Sequence, residues 1–186
     1  MGSLFEKISN IPKETIVKIF RFGIILLFLF YPPMFYFFSN SGYDSANFMK
    51  DQFSFSDFAL YNLYFQLSYG GGNIGYYTWG QILDYGFMVS YGAVFFSLCV
   101  LTGRKFNKEK NAKAEFVGNL FGLLAIGSAV SDAIENIFVL LTLASPFTFP
   151  PIYAILMSTF ALIKWVLLFV VLVYVIIARL KLAIDK

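Results

Sequence analysis

The chain has 186 residues, 59% of them apolar, 20% aromatic and only 13% charged, with a net charge of +3 and a mean hydropathy of +0.71. That balance excludes an ordinary soluble domain and a disordered chain alike. A single cysteine, Cys99, excludes a disulfide framework, a CxxC redox centre and a thiolate metal cluster; the lack of any histidine argues against zinc hydrolases, haem proteins and Ser-His triads.

The apolar residues come in long blocks without in/out alternation, which predicts transmembrane helices and not a barrel. The blocks run over about 16–38, 79–102, 114–144 and 152–178. Each reaches the roughly 20 residues that a helix needs to cross about 30 Å of hydrocarbon. The expected fold is therefore all-α: one integral membrane domain over 1–186, a four-helix transmembrane bundle with a short interfacial helix in the first outer loop. The first block is too long for a typical signal-peptide core, and no A-x-A-like site follows Phe37-Phe38-Ser39-Asn40, so a signal anchor is expected.

Between the first two blocks, Ser56-Asp57 can cap a short helix through about Ser68, ended by Gly70-Gly71-Gly72. Phe58, Leu60, Tyr61, Leu63, Tyr64, Phe65 and Leu67 suit it to the membrane interface or to docking on the bundle; Tyr76, Tyr77 and Trp79 mark the interface level. Before the last block, Ser145-Pro146 and Pro150-Pro151 bound a stiff turn that makes the last two helices antiparallel neighbours.

Basic residues set an orientation. Residues 1–21 carry Lys7, Lys13, Lys18 and Arg21; the loop 103–113 carries Arg104, Lys105, Lys108, Lys110 and Lys113; the tail adds Arg179, Lys181 and Lys186. The loop 39–78 has Lys50 against three aspartates, and 145–151 has no basic residue. The positive-inside rule then puts both termini in the cytoplasm of a bacterial-type cytoplasmic membrane. The basic cluster lies in a short loop, so no nucleic-acid partner is expected.

Helix periodicity defines faces. On the third helix Gly118, Gly122, Ala125, Ala129, Asp132 and Asn136 follow at steps of four and three, a small-residue stripe containing a GxxxG pair. On the second, Gly86, Ser90, Ala93 and Ser97 form a packing stripe, while Gln81, Asp84, Met88 and Tyr91 form a separate edge. Both can be buried only if this helix touches neighbours on two sides.

Asp84, Asp132, Glu135 and Lys164 lie within the apolar blocks. A charge at the bilayer centre costs about 2.5–3.5 kcal/mol on insertion scales, so such residues face a bundle interior and mark candidate sites. At about 1.5 Å per residue from outer boundaries at Trp79, Ala144 and Ile152, Asp84 lies about 8 Å in, Glu135 about 14 Å, and Asp132 and Lys164 about 18 Å. An Asp132–Lys164 ion pair follows naturally, with Asn136 in the same cluster. Asp84, beside Gln81 and near the outer boundary, is expected to be hydrated. Three acids and one base cannot all pair, so one carboxylate is left for a proton, a hydrogen-bond donor or a bound cation.

The string Ser131-Asp132-Ala133-Ile134-Glu135-Asn136 resembles a D-x-x-E-N signature in uncharacterised small bacterial-type membrane proteins, and Asp84…Tyr91-Gly92 is similar to an Asp…Tyr-Gly element of such sequences. The resemblance covers two of four helices and implies no activity. In outline, four helices with intramembrane acids are also similar to the sterol-isomerase and sigma-2-receptor group, whose acids meet cationic amines or carbocation-like intermediates. No residue carries over from that group.

Three functions compete. An accessory or assembly subunit would hold partner helices, or a second copy, through the polar stripe. A lipid- or sterol-like ligand-binding protein or isomerase would use Asp132 or Glu135 against an apolar or cationic amphiphilic ligand. A transport element would relay protons through the acids. A small chain without catalytic histidine, metal site or nucleotide motif favours the first and leans against an enzyme; no cofactor or metal is expected.

Overall fold

A backbone that leaves water must satisfy its own N–H and C=O groups, and a helix does so within one segment. The computed structural model describes residues 4–107 and 112–184, and these contain no strand. Their α-helices are α1 (Leu4–Ser9), α2 (Lys13–Asn40), α3 (Phe48–Gln52), α4 (Asp57–Tyr69), α5 (Ile74–Asn107), α6 (Ala112–Ala144) and α7 (Pro151–Ile184). Four of these, α2, α5, α6 and α7, are long and apolar enough to cross a membrane. They contain the four predicted blocks, and α5 begins at Ile74, more than a turn before Trp79. The short helices α1 and α3 have no counterpart in the sequence reading. Lys108, Lys110 and Lys186, which entered the orientation argument, lie outside the described residues.

The chain divides into two compact units, each built from segments of the long helices. The first comprises Met1–Ile25, Val89–Ala129 and Trp165–Lys186; the second comprises Leu26–Met88 and Val130–Lys164.

In the first unit, glycine lets α5 and α6 touch at the backbone. A Cβ on Gly118 would meet Gly103 Cα at 2.7 Å and the Cys99 carbonyl at 2.8 Å. Gly122 faces Phe96 and Val100, and Gly92 faces Ala129, so the small residues of the predicted α6 stripe lie along α5. Ala125 continues it, buried with Cys99 and Val171. The opposite side of α5 takes α2: a Cβ on Gly23 would come within 2.9 Å of the Ser90 carbonyl and 3.0 Å of Ala93 Cβ. Helix α5 thus has neighbours on two sides. Arg104 donates to the carbonyls of Ile8 (2.7 Å) and Ser9 (3.3 Å), supplying donors that the end of α1 lacks. Asn119 donates to Ser9 Oγ at 2.9 Å, and the Phe5 and Phe116 rings lie 4.7 Å apart.

In the second unit, α3 and α4 form the two legs of a hairpin docked on α6 and α7. Leu60, Leu63, Tyr64 and Leu67 of α4 are buried with Tyr77, Val139, Phe149, Ala154 and Met157. The helix expected at the membrane interface thus packs its apolar side on α6 and α7. The direction of α4 follows from its contacts. At its start the Phe55 N–H donates to Ser158 Oγ at 3.1 Å, two turns inside α7. Midway, Tyr64 and Thr142 share a 2.6 Å hydroxyl bond, and at its end Tyr69 stacks on Phe147 in the α6–α7 turn. Helix α4 therefore climbs from well inside the long helices to their ends.

Local chemistry shapes the hairpin. Phe55 has φ 49°, a left-handed conformation that costs a bulky residue of order 1 kcal/mol and is held here by the Ser158 bond. Ser56 is extended and makes no side-chain cap; the Asp57 carboxylate accepts the Phe58 N–H instead. At the open end, Asn73 N–H donates to the Ser41 carbonyl at 2.7 Å. Gly42 (φ 78°) and Gly71 (φ 87°) supply turns that other residues resist. Helix α2 carries Pro32 and Pro33 in its interior, as membrane helices tolerate, and the Phe30 ring packs on Gly86 of α5.

Candidate functional site: a buried carboxylate cluster

The site is built on one turn of α6. Asp132, Glu135 and Asn136, spaced by three and four, fan over neighbouring positions, and between them they meet three other elements of the second unit. On α7, Lys164 Nζ donates to Asp132 Oδ1 at 2.9 Å and lies 2.6 Å from Glu135 Oε2. From α3, Gln52 Nε2 donates to Glu135 Oε1 at 2.7 Å. On α5, Asp84 Oδ2 accepts from Asn136 Nδ2 at 2.8 Å.

Burial sharpens these contacts. Asp132, Glu135 and Lys164 are 5%, 2% and 6% exposed. Removing a carboxylate or ammonium from water costs several kcal/mol, which a close ion pair with further hydrogen bonds can offset. One ammonium serves two carboxylates here, and two amides supply further donors. Asp84 is only half-buried, the most accessible of the three acids.

The geometry relocates several expected residues. Asp84 was expected to be hydrated, yet it bonds Asn136; because α5 starts at Ile74, Asp84 lies about 15 Å along its helix, close to the level of Asn136. Asn136 correspondingly turns to α5 and not to Lys164. Tyr91, seven residues after Asp84 on α5, keeps the face expected of it and is buried, as is Ser90. Gly86 packs under Phe30, and Gly118, Gly122, Ala125 and Ala129 serve α5–α6 packing in the first unit.

Gln52 and Ser158 were missed. Gln52 ends α3, a helix of five residues that is too short to show periodicity, and no sequence signal links it to Glu135. Ser158 was legible: Ala154, Ser158 and Ala161 form a small-residue stripe at four and three in an otherwise bulky helix, and all three are fully buried.

Outside the spanning helices, Tyr43 Oη donates to Asp51 Oδ2 at 3.0 Å. Burial pushes the Asp51 carboxyl above its ordinary range, and the Tyr43 hydroxyl partly opposes the shift. Burial and the Asp51 charge raise the Tyr43 phenol in turn.

Chemically, the cluster can hold a positive group, exchange a proton, or lock helices together. Comparisons with protein-family models, curated proteins and solved structures gave no match.

Proposed function

We propose that the chain is a polytopic integral membrane protein whose second unit holds an intramembrane acidic site for the positive group of an amphiphilic ligand. A charge imbalance among the described residues carries this reading: Asp132 and Glu135 share the Lys164 ammonium, and Asp84 joins the cluster through Asn136. A cationic amine drawn from the bilayer relieves that imbalance, with half-buried Asp84 as its first contact and Asp132 and Glu135 as deeper counter-ions. On this reading the α3–α4 hairpin is re-entrant: its tip reaches membrane depth over the cluster, and only the Tyr69 end of α4 lies at the interface. Non-helical backbone at such depth is tolerated where protein buries it. The Lys/Arg distribution supports cytoplasmic termini.

An accessory or assembly subunit is the second reading. It is favoured by α2, whose most apolar stretch is 11% buried against 56% for α5, leaving a wide face for lipid or a partner helix.

A thermal-shift titration separates the two. A tertiary-amine amphiphile and an uncharged analogue with the same tail are added to wild type, Asp132→Asn and Glu135→Gln, whose amides keep the site's shape. Stabilisation of wild type by the amine alone, weakened in both variants, is the expected result. Equal shifts with both probes, or no shift, refute the ligand site; co-purification of a larger membrane protein then favours the subunit.

A further inference from the structure

The first unit contains a second feature, independent of the carboxylate cluster. An open groove of 680 Å³ runs between the start of α6 and the end of α7. Its floor is apolar, formed by Val117 and Phe121 of α6 and by Phe169, Val173 and Ile177 of α7. One end differs. There Lys113, in the first turn of α6, and Lys181, in the last turn of α7, flank the groove beside Phe106. Lys181 Nζ lies 5.8 Å from the Phe106 ring centroid, which holds its ammonium at the groove's mouth. At the other end the Phe121 and Tyr174 rings stack at 4.2 Å and wall the groove toward the buried Cys99.

We propose that this groove binds an anionic phospholipid of the adjoining leaflet, its phosphate between Lys113 and Lys181 and one acyl chain along Val117, Phe169, Val173 and Ile177. Length and charge both fit. From Phe169 to Lys181 the helix rises about 18 Å, close to half of a hydrocarbon core about 30 Å thick. Two lysines at the end of an apolar channel complement a negative headgroup, and each is worth about 1 kcal/mol, or about fivefold in affinity, near a membrane surface. A zwitterionic lipid fills the groove equally well but gains little from the lysines. A second copy of the chain would bring its own lysines to the same end, against like charge.

The test uses the full chain in dodecyl maltoside with dioleoyl phosphatidylglycerol and dioleoyl phosphatidylcholine, which share their tails. Native mass spectrometry reads retained lipid, and thermal melting reads stabilisation. Phosphatidylglycerol should be retained preferentially by wild type. Lys113→Gln and Lys181→Gln should each weaken it about fivefold, leaving phosphatidylcholine unchanged. The lysines are exposed, so lipid-free melting of these variants should match wild type. Val173→Trp, which fills the groove, should lower retention of both lipids. Equal retention of the two lipids by wild type overturns the proposal, as does a double lysine variant that keeps the preference. A Val173→Trp variant that binds phosphatidylglycerol as wild type does overturns the acyl-chain assignment, and a stable dimer that excludes the lipid overturns the occupant.

Discussion

Gln52 reaches Glu135 across 83 positions of sequence, its side-chain amide donating to the buried carboxylate at 2.7 Å. A hydrogen bond to a charged group contributes about 1.5–3 kcal/mol. Gln52→Leu should therefore lower stability by that amount. Gln52→Glu should cost more, because it sets a fourth carboxylate against the cluster. Unfolding in mixed micelles measures both; a Glu variant as stable as wild type would mean that the hairpin tip does not rest on Glu135.

Lys164 pairs with two carboxylates at once. Lys164→Met should destabilise by about 3–5 kcal/mol, the cost of leaving buried charge without a partner. Adding Asp132→Asn and Glu135→Gln should restore most of the loss. A triple variant no better than the single one would contradict a shared ammonium.

Glycine positions on α6 should differ sharply. A Cβ at Gly118 would press on Gly103 Cα and the Cys99 carbonyl, backbone atoms that cannot swing away. Gly118→Ala should thus cost about 1–3 kcal/mol through forced separation of α5 and α6. At Gly127 the nearest atom is Leu167 Cδ1 at 3.4 Å, so Gly127→Ala should be neutral or stabilising by up to about 1 kcal/mol. Melting temperatures in one detergent suffice, and equal effects would refute the close contact.

Asp51 gives the pH dependence. Its carboxyl is held above the ordinary range by burial, so the folded chain keeps this proton where the unfolded chain releases it. Between the unfolded value, about 3.9, and the raised folded value, the native state binds more protons, and stability falls as pH rises through that window. Asp51→Asn should remove this fall. The difference between wild-type and variant melting temperatures, followed from acid to neutral pH, checks it; a flat difference contradicts the shift.

Orientation is tested in a Cys99→Ala background. A cysteine at Ser45 should react with an impermeant maleimide added outside intact cells, and one at Asn107 should react only after lysis. The opposite pattern would invert the topology.

The four long helices were legible because continuous apolar length is a strong local signal. The Asp132–Lys164 contact was legible because depth on antiparallel neighbours can be counted along two helices. Asp84 was misplaced for the same reason in reverse: counting from Trp79 omitted the first turns of α5. Gln52 and the reach of α4 were not legible, since a hairpin of short helices has no periodicity that states its depth. Aromatic residues that suit an interface, such as Tyr61 and Tyr64, suit a bundle wall equally well, and only their bonds to the Phe149 carbonyl and to Thr142 tell the two apart.

The hairpin also carries a schedule for biogenesis. Its docking partners, Glu135, Thr142, Phe149 and Ser158, are all synthesised after it, and the Asn73–Ser41 bond ties its legs together at the rim. With the proposed cytoplasmic termini, the segment 41–73 leaves the ribosome and crosses with the loop that follows α2, carrying Lys50, Asp51 and Asp57, before α6 and α7 exist to receive it. Its seat forms only when the last helix pair is in place. Until then the hairpin's buried face, Leu60, Leu63, Tyr64 and Leu67, has no seat, and an external protease that cuts near Ser54 would distinguish chains arrested before α7 from completed ones.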